Sequence, residues 1–289
     1  MELYTIYRPI TATPFKSSEN YREFEPCDAL KPYIHCFWGG RELYQTEKDD
    51  TVTEELVTPD TCMDIIFTAD FTGNKLAGRF RGIDDRPFVT RAAGHEGKTR
   101  SLFAIRFYAW GAAAFAEESL RETKDTYFDA GYHFPALKKE LGEQLFYAAD
   151  IRQLISTAEK ILLKHLRLRR QSETVLQAVH EILKNRGNLP MSDLKRRLPV
   201  GDRQLERLFD EYIGMSPKSL SAIVRYQCLW NDLIYNKSFN TLDAVYRYGY
   251  SDQAHLCHDF KKYHSMNMAD AREYALRNVG NIQDPFSRS

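Results

Sequence analysis

The chain has 289 residues, 43% of them hydrophobic and 28% charged, with a formal net charge of zero. That is material for about two globular domains of ordinary size. It excludes a disordered or fibrous chain, and no stretch approaches the roughly 20 apolar residues of a membrane helix. The start, MELYTIYRPI, lacks the basic segment and apolar run of a signal peptide. The five cysteines, Cys27, Cys36, Cys62, Cys228 and Cys257, are scattered, with no Cys-x-x-Cys pair. We therefore expect a cytoplasmic protein with no membrane contact, whose thiols are reduced and mostly buried. The neutral total conceals an asymmetry. From residue 165 onward there are 19 Lys and Arg against 14 Asp and Glu, and the preceding part carries 21 against 26. A basic C-terminal part behind an acidic N-terminal part suits a nucleic-acid-binding module joined to another domain.

Up to about residue 110 the chain reads as strands. Short apolar or alternating runs end at turn signals: Ile34–Trp38 before Gly39 and Gly40, Met63–Phe67 before Asp70, Leu102–Phe107 before Trp110 and Gly111. Brief strands without a helical period predict a small barrel or sandwich. Gly111–Leu120 and Phe134–Gly142 read as short helices. Over Asp150–Arg170 the residues Ile151, Leu154, Ile155, Ala158, Ile161, Leu162 and Leu166 form one apolar helical stripe. Such a stripe packs either on its own domain or on a second subunit, so a homodimer stays open.

The rest is helical. The spacing predicts helices over Glu173–Asn185, Ser192–Leu198, Asp202–Ile213, Lys218–Asn236, Thr241–Tyr248, Gln253–His264 and Ala269–Asn278. The stops are Gly187, Gly214 and Gly249, and Ser251 or Asp252 stands as a cap. Two segments share one pattern. Leu194–Gly214 is a short helix, a turn through Pro199–Gly201, then DRQLERLFDEYIG. Leu242–Ser265 is a short helix, a turn at Gly249–Ser251, then DQAHLCHDFKKYHS. Leu205 and Phe209 in the first answer Leu256 and Phe260 in the second, each pair 51 residues apart. Each segment is a helix–turn–helix, in which the second helix can lie in a major groove. The long helix between them spans roughly 30 Å, close to the ~34 Å of one DNA turn.

These residues resemble the AraC/XylS family of regulators. The likeness covers about Thr174–Tyr274 and rests on LERLF…GMSPK, IVRYQ and AVYRYGYSDQAHLCHDFKK. YREFEPCDALKPYIHCFW, TPDTCMDIIF and FAIRFYAWGAAAF, in residues 20–120, look like the cupin-like sensing domain of one branch of that family. The resemblance implies an α+β chain: a small N-terminal β-barrel with flanking helices, then an all-α domain of seven helices with two helix-turn-helix units. The implied division is residues 1–149 for sensing, 150–171 for an amphipathic linker helix, 172–279 for DNA binding and 280–289 for a flexible tail. It implies a transcription regulator, activating or repressing, with double-stranded promoter DNA and RNA polymerase as partners and a small-molecule effector of unknown identity and unknown binding residues. Matched position by position, the first reading helix presents Arg203, Glu206 and Arg207 to bases, with Gln204 beside them. The second presents Ala254, His255 and His258. Lys261, Lys262, Lys218 and Arg225 are candidates for phosphate contacts, which fix register without reading sequence. The family usually has Gly and Pro after its last signature helix. Here Ser265 and Met268 stand there, His258 replaces a common Arg, and Pro199 stands in the first turn.

Three rival readings differ in class. A cupin-type metal enzyme would use His35, His95 and His133, which lack the close His-x-His pairing such a site needs. No phosphate loop or nucleophile elbow is present, so no catalytic residue, metal or cofactor is expected. His255, Cys257 and His258 are spaced unsuitably for one metal. A repair sensor alkylated on cysteine would need a metal-held thiol, for which Cys27, Cys36 and Cys62 are badly spaced. A sensor acting through protein contacts, with weak or lost DNA binding, would not need the intact Arg203 and Arg207. Asp60, Asp64 and Arg106 are polar groups in expected strands, for which a structural role is the first reading.

Overall fold

The computed structural model describes residues 2–11, 22–40, 45–46, 52–93, 99–168 and 172–277. Its centre is the strand CMDIIFTAD, β5 (Cys62–Asp70). Alternation sends Met63, Ile65, Phe67 and Ala69 to one face, where all are buried, and Asp64 and Ile66 to the other. β5 pairs antiparallel with β6 (Lys75–Arg81) on one side and β8 (Thr99–Tyr108) on the other. β2 (Ile34–Gly39) and β1 (Arg22–Phe24) extend the sheet beyond β8, and β9 (Tyr127–Asp129) extends it beyond β6. β3 (Gln45–Thr46) pairs with the start of β8.

The expected barrel is not closed. The sheet order runs β1-β2-β8-β5-β6-β9, and the remaining strands, β4 (Val52–Val57) and β7 (Phe88–Ala93), pair with each other as a separate ribbon. Closure needs an unbroken ladder around the axis. Here the two edge strands are three residues each and do not meet among the described residues. The sheet's buried face is covered by aromatic packing. Phe107 lies 6.2 Å from Phe134, ring centre to ring centre, and Phe80 lies 4.9 Å from the same ring.

Leu3–Ile6 form a single turn, α1. The helix expected over Gly111–Leu120 is a 3-10 turn at Ala112–Ala114 only. A Cβ on Gly111 would stand 2.0 Å from the Tyr33 carbonyl oxygen, so close backbone approach, not helical periodicity, governs this segment. α2 (Pro135–Gln144) and α3 (Ile151–His165) pack on each other, with Ile151, Leu154, Ala158 and Leu162 buried. The apolar stripe is thus covered by its own chain.

Helices α4 (Glu173–Lys184), α5 (Met191–Arg196), α6 (Asp202–Ile213), α7 (Pro217–Tyr235), α8 (Thr241–Tyr248), α9 (Gln253–His264) and α10 (Met268–Arg277) follow. Local chemistry sets their ends. Ser172, Ser216, Asn240 and Asp252 each accept a backbone N–H as N-caps, a contact worth about 1 kcal/mol apiece. Gly214 and Gly249 end α6 and α8 in the left-handed region. Ser265, the departure from Gly, ends α9 at φ 62°. A side chain thus stands in the left-handed region, where glycine is favoured.

Candidate nucleic-acid interface

In the first helix pair, α5 leads through Pro199–Gly201 into α6. Leu205 and Phe209 are 1% and 0% exposed and fix α6 to its bundle. The opposite side of α6 carries Arg203, Gln204, Glu206 and Arg207, all exposed. Arg207 reaches Glu211 at 3.4 Å, one turn on. The second pair repeats the arrangement. Leu256 and Phe260 are both fully buried, and α9 exposes Ala254, His255, His258, Lys261 and Lys262. His255 is positioned at the turn: its N–H donates to the Asp252 carboxylate at 2.7 Å, and its ring meets Ser251 Oγ at 3.1 Å. Lys262 lies over the Tyr263 ring.

Lys218 is exposed in the first turn of α7. Arg225 is placed differently from the rest. Its guanidinium is paired with Asp259 at 3.1 Å and stacked 4.5 Å from the Tyr250 ring centre, while the Tyr250 hydroxyl donates to the same Asp259 oxygen. It ties α7 to α9 from inside. Reading the sequence for outward charges did not anticipate this, because i, i+3 and i+4 spacing on α7 does not say which neighbour lies alongside. Arg196 and Arg197, exposed at the end of α5, are paired with Asp193 and Glu181.

Between the sheet and the β4–β7 ribbon lies a cavity of about 500 Å³, within the size range of small-molecule sites. The register builds its floor. Asp64 on β5 sits opposite Arg81 on β6 and Arg106 on β8, so three charged side chains form one row across the sheet. Arg106 donates to both Asp64 oxygens at 3.0 and 3.3 Å, and Trp38 Nε1 donates to the same carboxylate at 2.8 Å. Arg81 grips Asp84 with two hydrogen bonds of 2.8 and 2.6 Å and lies 3.9 Å from the Phe88 ring centre. Asp60 also lines the cavity. Burial pushes its carboxyl up to about 6, with Arg106 opposing and Asp64 reinforcing the shift.

Both edges of this cavity touch the helical part. On one edge, Gln227 of α7, 2% exposed, donates from Nε2 to the Pro59 carbonyl at 2.7 Å and accepts from the Ile10 N–H at 2.8 Å. Its neighbour Tyr226 is hydrogen-bonded to Thr58 and, at 2.8 Å, to His264 Nδ1 at the end of α9. On the other edge, a Cβ on Gly82 would collide with the Thr123 carbonyl oxygen at 1.7 Å. Thr123 in turn stands against Gly214, the end of α6, where a Cβ would lie 2.2 Å from Thr123 Oγ1. Leu120 N–H and Ser119 Oγ both donate to the Glu211 carbonyl, at 2.9 and 3.4 Å, and Arg121 lies 3.4 Å from Asp210. None of these contacts was foreseen. The available signal was Gln227, a polar residue within an apolar helix face.

Among the described residues, the group that could hold a metal is Glu23, His35 and Cys36, with ligand atoms within 4.8 Å of one another. Burial holds His35 neutral, with its pKa down to about 3, and raises the Cys36 thiol well above its usual range. Arg106 lies 3.8 Å from Glu23, so a positive charge already stands beside this group. His133 lies half-buried against Phe128 and Phe80, away from that group. His95 lies outside the described residues, as does the tail from 280 onward.

Residues 22–129 match a family model described as a domain of unknown function (DUF6597), and residues 194–274 match one described as a helix-turn-helix domain. No curated protein matches the chain. Among solved structures, ToxT from Vibrio cholerae at 1.65 Å resolution is similar with a TM-score of 0.38 and 11% identity, over 91% of this chain and 100% of that one. ToxT from Vibrio cholerae O395 gives 0.37 and 12%, over 83% and 97%. Unsaturated fatty acid bound wild-type ToxT from strain SCE256 gives 0.35 and 12%, over 93% and 99%. Likeness at this level bears on neither ligand nor site. The two helix pairs thus lie in the stretch that matches the helix-turn-helix domain, behind an N-terminal stretch that matches the domain of unknown function.

Proposed function

We propose that the protein is a sequence-specific transcription regulator that reads promoter DNA with α6 and α9 in successive major grooves. The observation that carries this is the repeated helix pair. Leu205 and Phe209 in one unit, Leu256 and Phe260 in the other, are buried anchors, and each leaves a polar face exposed. α7, with 19 residues, gives a rod of about 28 Å between the units, near one helical turn of DNA. Arg203 and Arg207 suit bidentate contact with guanine, and Glu206 can accept from cytosine N4. Lys261, Lys262 and Lys218 suit phosphates. In this reading residues 172–279 bind DNA, residues 1–149 sense, 150–171 link them, and RNA polymerase is the partner at the promoter.

The reading extends to control by a small molecule in the N-terminal cavity. Its support is that the two cavity edges contact the ends of both reading helices, through Thr58, Pro59 and α7 on one side and through Thr123 on the other. A ligand shifts such an equilibrium only if it prefers one arrangement of the two parts. The test is binding of the purified protein to DNA upstream of its own and neighbouring genes at two salt concentrations, beside the Arg203→Ala/Arg207→Ala variant. Selective binding that weakens with salt, and falls about a hundredfold or more in the variant, is expected. Binding equal to that of random DNA and indifferent to the variant would refute the DNA-reading assignment.

A further inference from the structure

The cavity wall carries three arginines, Arg81, Arg91 and Arg106, and three aspartates, Asp60, Asp64 and Asp84, but they are not all paired with one another. Each arginine that lines it already has a carboxylate: Arg106 has Asp64 and Glu23, Arg81 has Asp84, and Arg91 has Glu54 at 2.7 Å. Asp60 has none. Its hydrogen bond is to the N–H of Cys62, two residues on, at 2.8 Å, and no salt bridge reaches it among the described residues. It is partly buried, and two further carboxylates, Asp64 and Asp84, each paired with an arginine, line the same cavity. A partly buried carboxylate without a counter-ion is stabilised by an incoming positive charge. An anion entering here would meet arginines that are already paired, together with one carboxylate, Asp60, that no salt bridge reaches among the described residues. Beside Thr58 and Thr90, much of the remaining wall is apolar or aromatic, with Trp38, Val57, Ile66, Phe88, Val89 and Tyr127.

We propose that this cavity takes a small organic cation, an amine on a flat and partly apolar body, with Asp60 as its counter-charge. The proposal rests on the reading that the cavity is the effector site, and it names the ligand's chemical class. The position of Asp60 links charge recognition to the helical part. The preceding residue, Pro59, gives its carbonyl to Gln227 of α7, so drawing the Asp60 carboxylate toward a bound ammonium acts on a segment hydrogen-bonded to the rod between the two reading units.

The experiment uses the full chain and a fragment set built in matched triples. Each triple shares one body and differs as amine, alcohol and carboxylate; tryptamine, tryptophol and indole-3-propionate form one. Binding is measured by thermal shift and by calorimetry, for the wild type and for Asp60→Asn, at about pH 8 and about pH 5. The expected result is that amines bind at least about tenfold more tightly than their alcohol and carboxylate counterparts. That preference should disappear in Asp60→Asn. In the wild type it should fall at the lower pH as Asp60 takes up a proton, while alcohol binding stays unchanged. The pH comparison needs no variant, so a misfolded Asp60→Asn does not spoil the test. If carboxylates bind best, or if amine preference survives both Asp60→Asn and acid, the charge assignment is overturned and the effector site stands. If no member of any triple binds, both the ligand class and the effector reading of the cavity fall.

Discussion

The two helix pairs have the same form and different attachments. The second is held by its own domain: Tyr226 bonds His264, and Arg225 and Tyr250 both converge on Asp259. The first is held from outside. The last turn of α6 gives its Glu211 carbonyl to Leu120 and Ser119 of the N-terminal part, Asp210 pairs with Arg121, and Gly214 lies against Thr123. The exposed faces differ as well. α6 offers two arginines and a glutamate, whereas α9 offers Ala254 and two histidines before its lysines. A repeat need not have two equal members. Here the unit clasped by the N-terminal domain is the one that offers the two arginines.

The largest effect that would break this comparison is at the clasp. Gly214→Ala places a Cβ at φ 76° and 2.2 Å from Thr123 Oγ1, with the Leu120 carbonyl oxygen at 2.6 Å. The combined left-handed and overpacking cost is about 2–4 kcal/mol, to be read as a lower midpoint in urea unfolding. The corresponding Gly249→Ala meets the Asn188 side chain at 2.0 Å, the end of a side chain and not backbone, so a smaller loss is expected there. A loss at Gly214 no greater than that at Gly249 would remove the distinction between the two units.

Next comes the second unit's internal tie. Tyr226→Phe removes the hydroxyl bonded to His264 and leaves a buried ring nitrogen unpaired, for a cost of about 1–2 kcal/mol in the same unfolding measurement.

Acid sharpens the contrast further. Burial lowers the pKa of His264 to about 4 and of His35 to about 3 in the folded protein, against 6.5 for an ordinary histidine. The unfolded chain therefore binds more protons below 6.5, and stability falls as pH drops from there toward 4. Asp60 has the opposite sign. Its folded value is raised to about 6 from 3.8, so it is the folded state that holds the extra proton and this group favours folding as pH falls through 6. The two histidines outweigh the one carboxylate, and the wild type should lose stability between pH 6.5 and pH 4. Asp60→Asn should lose it more steeply, because the opposing contribution is gone. Parallel pH curves for the two proteins would contradict the raised pKa of Asp60.

The smallest expected effect is at Arg121. Its pairing with Asp210 is about half exposed on both sides, so Arg121→Ala should change stability by no more than about 0.5 kcal/mol. Its value is as a control. If DNA affinity changes in this variant while stability does not, the clasp on α6 regulates reading and is not merely a support.

Much of the helical part was legible from residues alone. The Leu205/Phe209 and Leu256/Phe260 spacing, the cap expected at Ser251 or Asp252 and the stops at Gly214 and Gly249 are local features, and the helices begin and end within about two residues of the expected positions. Ser265 was legible as a departure, and the structure gives it the left-handed backbone that Gly would have adopted. The N-terminal part was legible only as strands. Open sheet or closed barrel depends on which edges meet, which no single strand encodes. The Ala112–Ala114 turn shows the limit in the other direction: an alanine-rich run has high helix propensity, yet packing of Gly111 on the Tyr33 backbone overrides it.

By itself, then, the sequence determined the paired helices, their anchors and their outward charges, because helical period and cap chemistry act within a few residues. The tertiary structure alone decided the cavity, the lone carboxylate in it and the route from its edges to both reading helices. Those depend on sheet register and on hydrogen bonds between residues as far apart as Ile10 and Gln227, 217 positions along the chain, and such pairings leave no periodic trace in the segments they join.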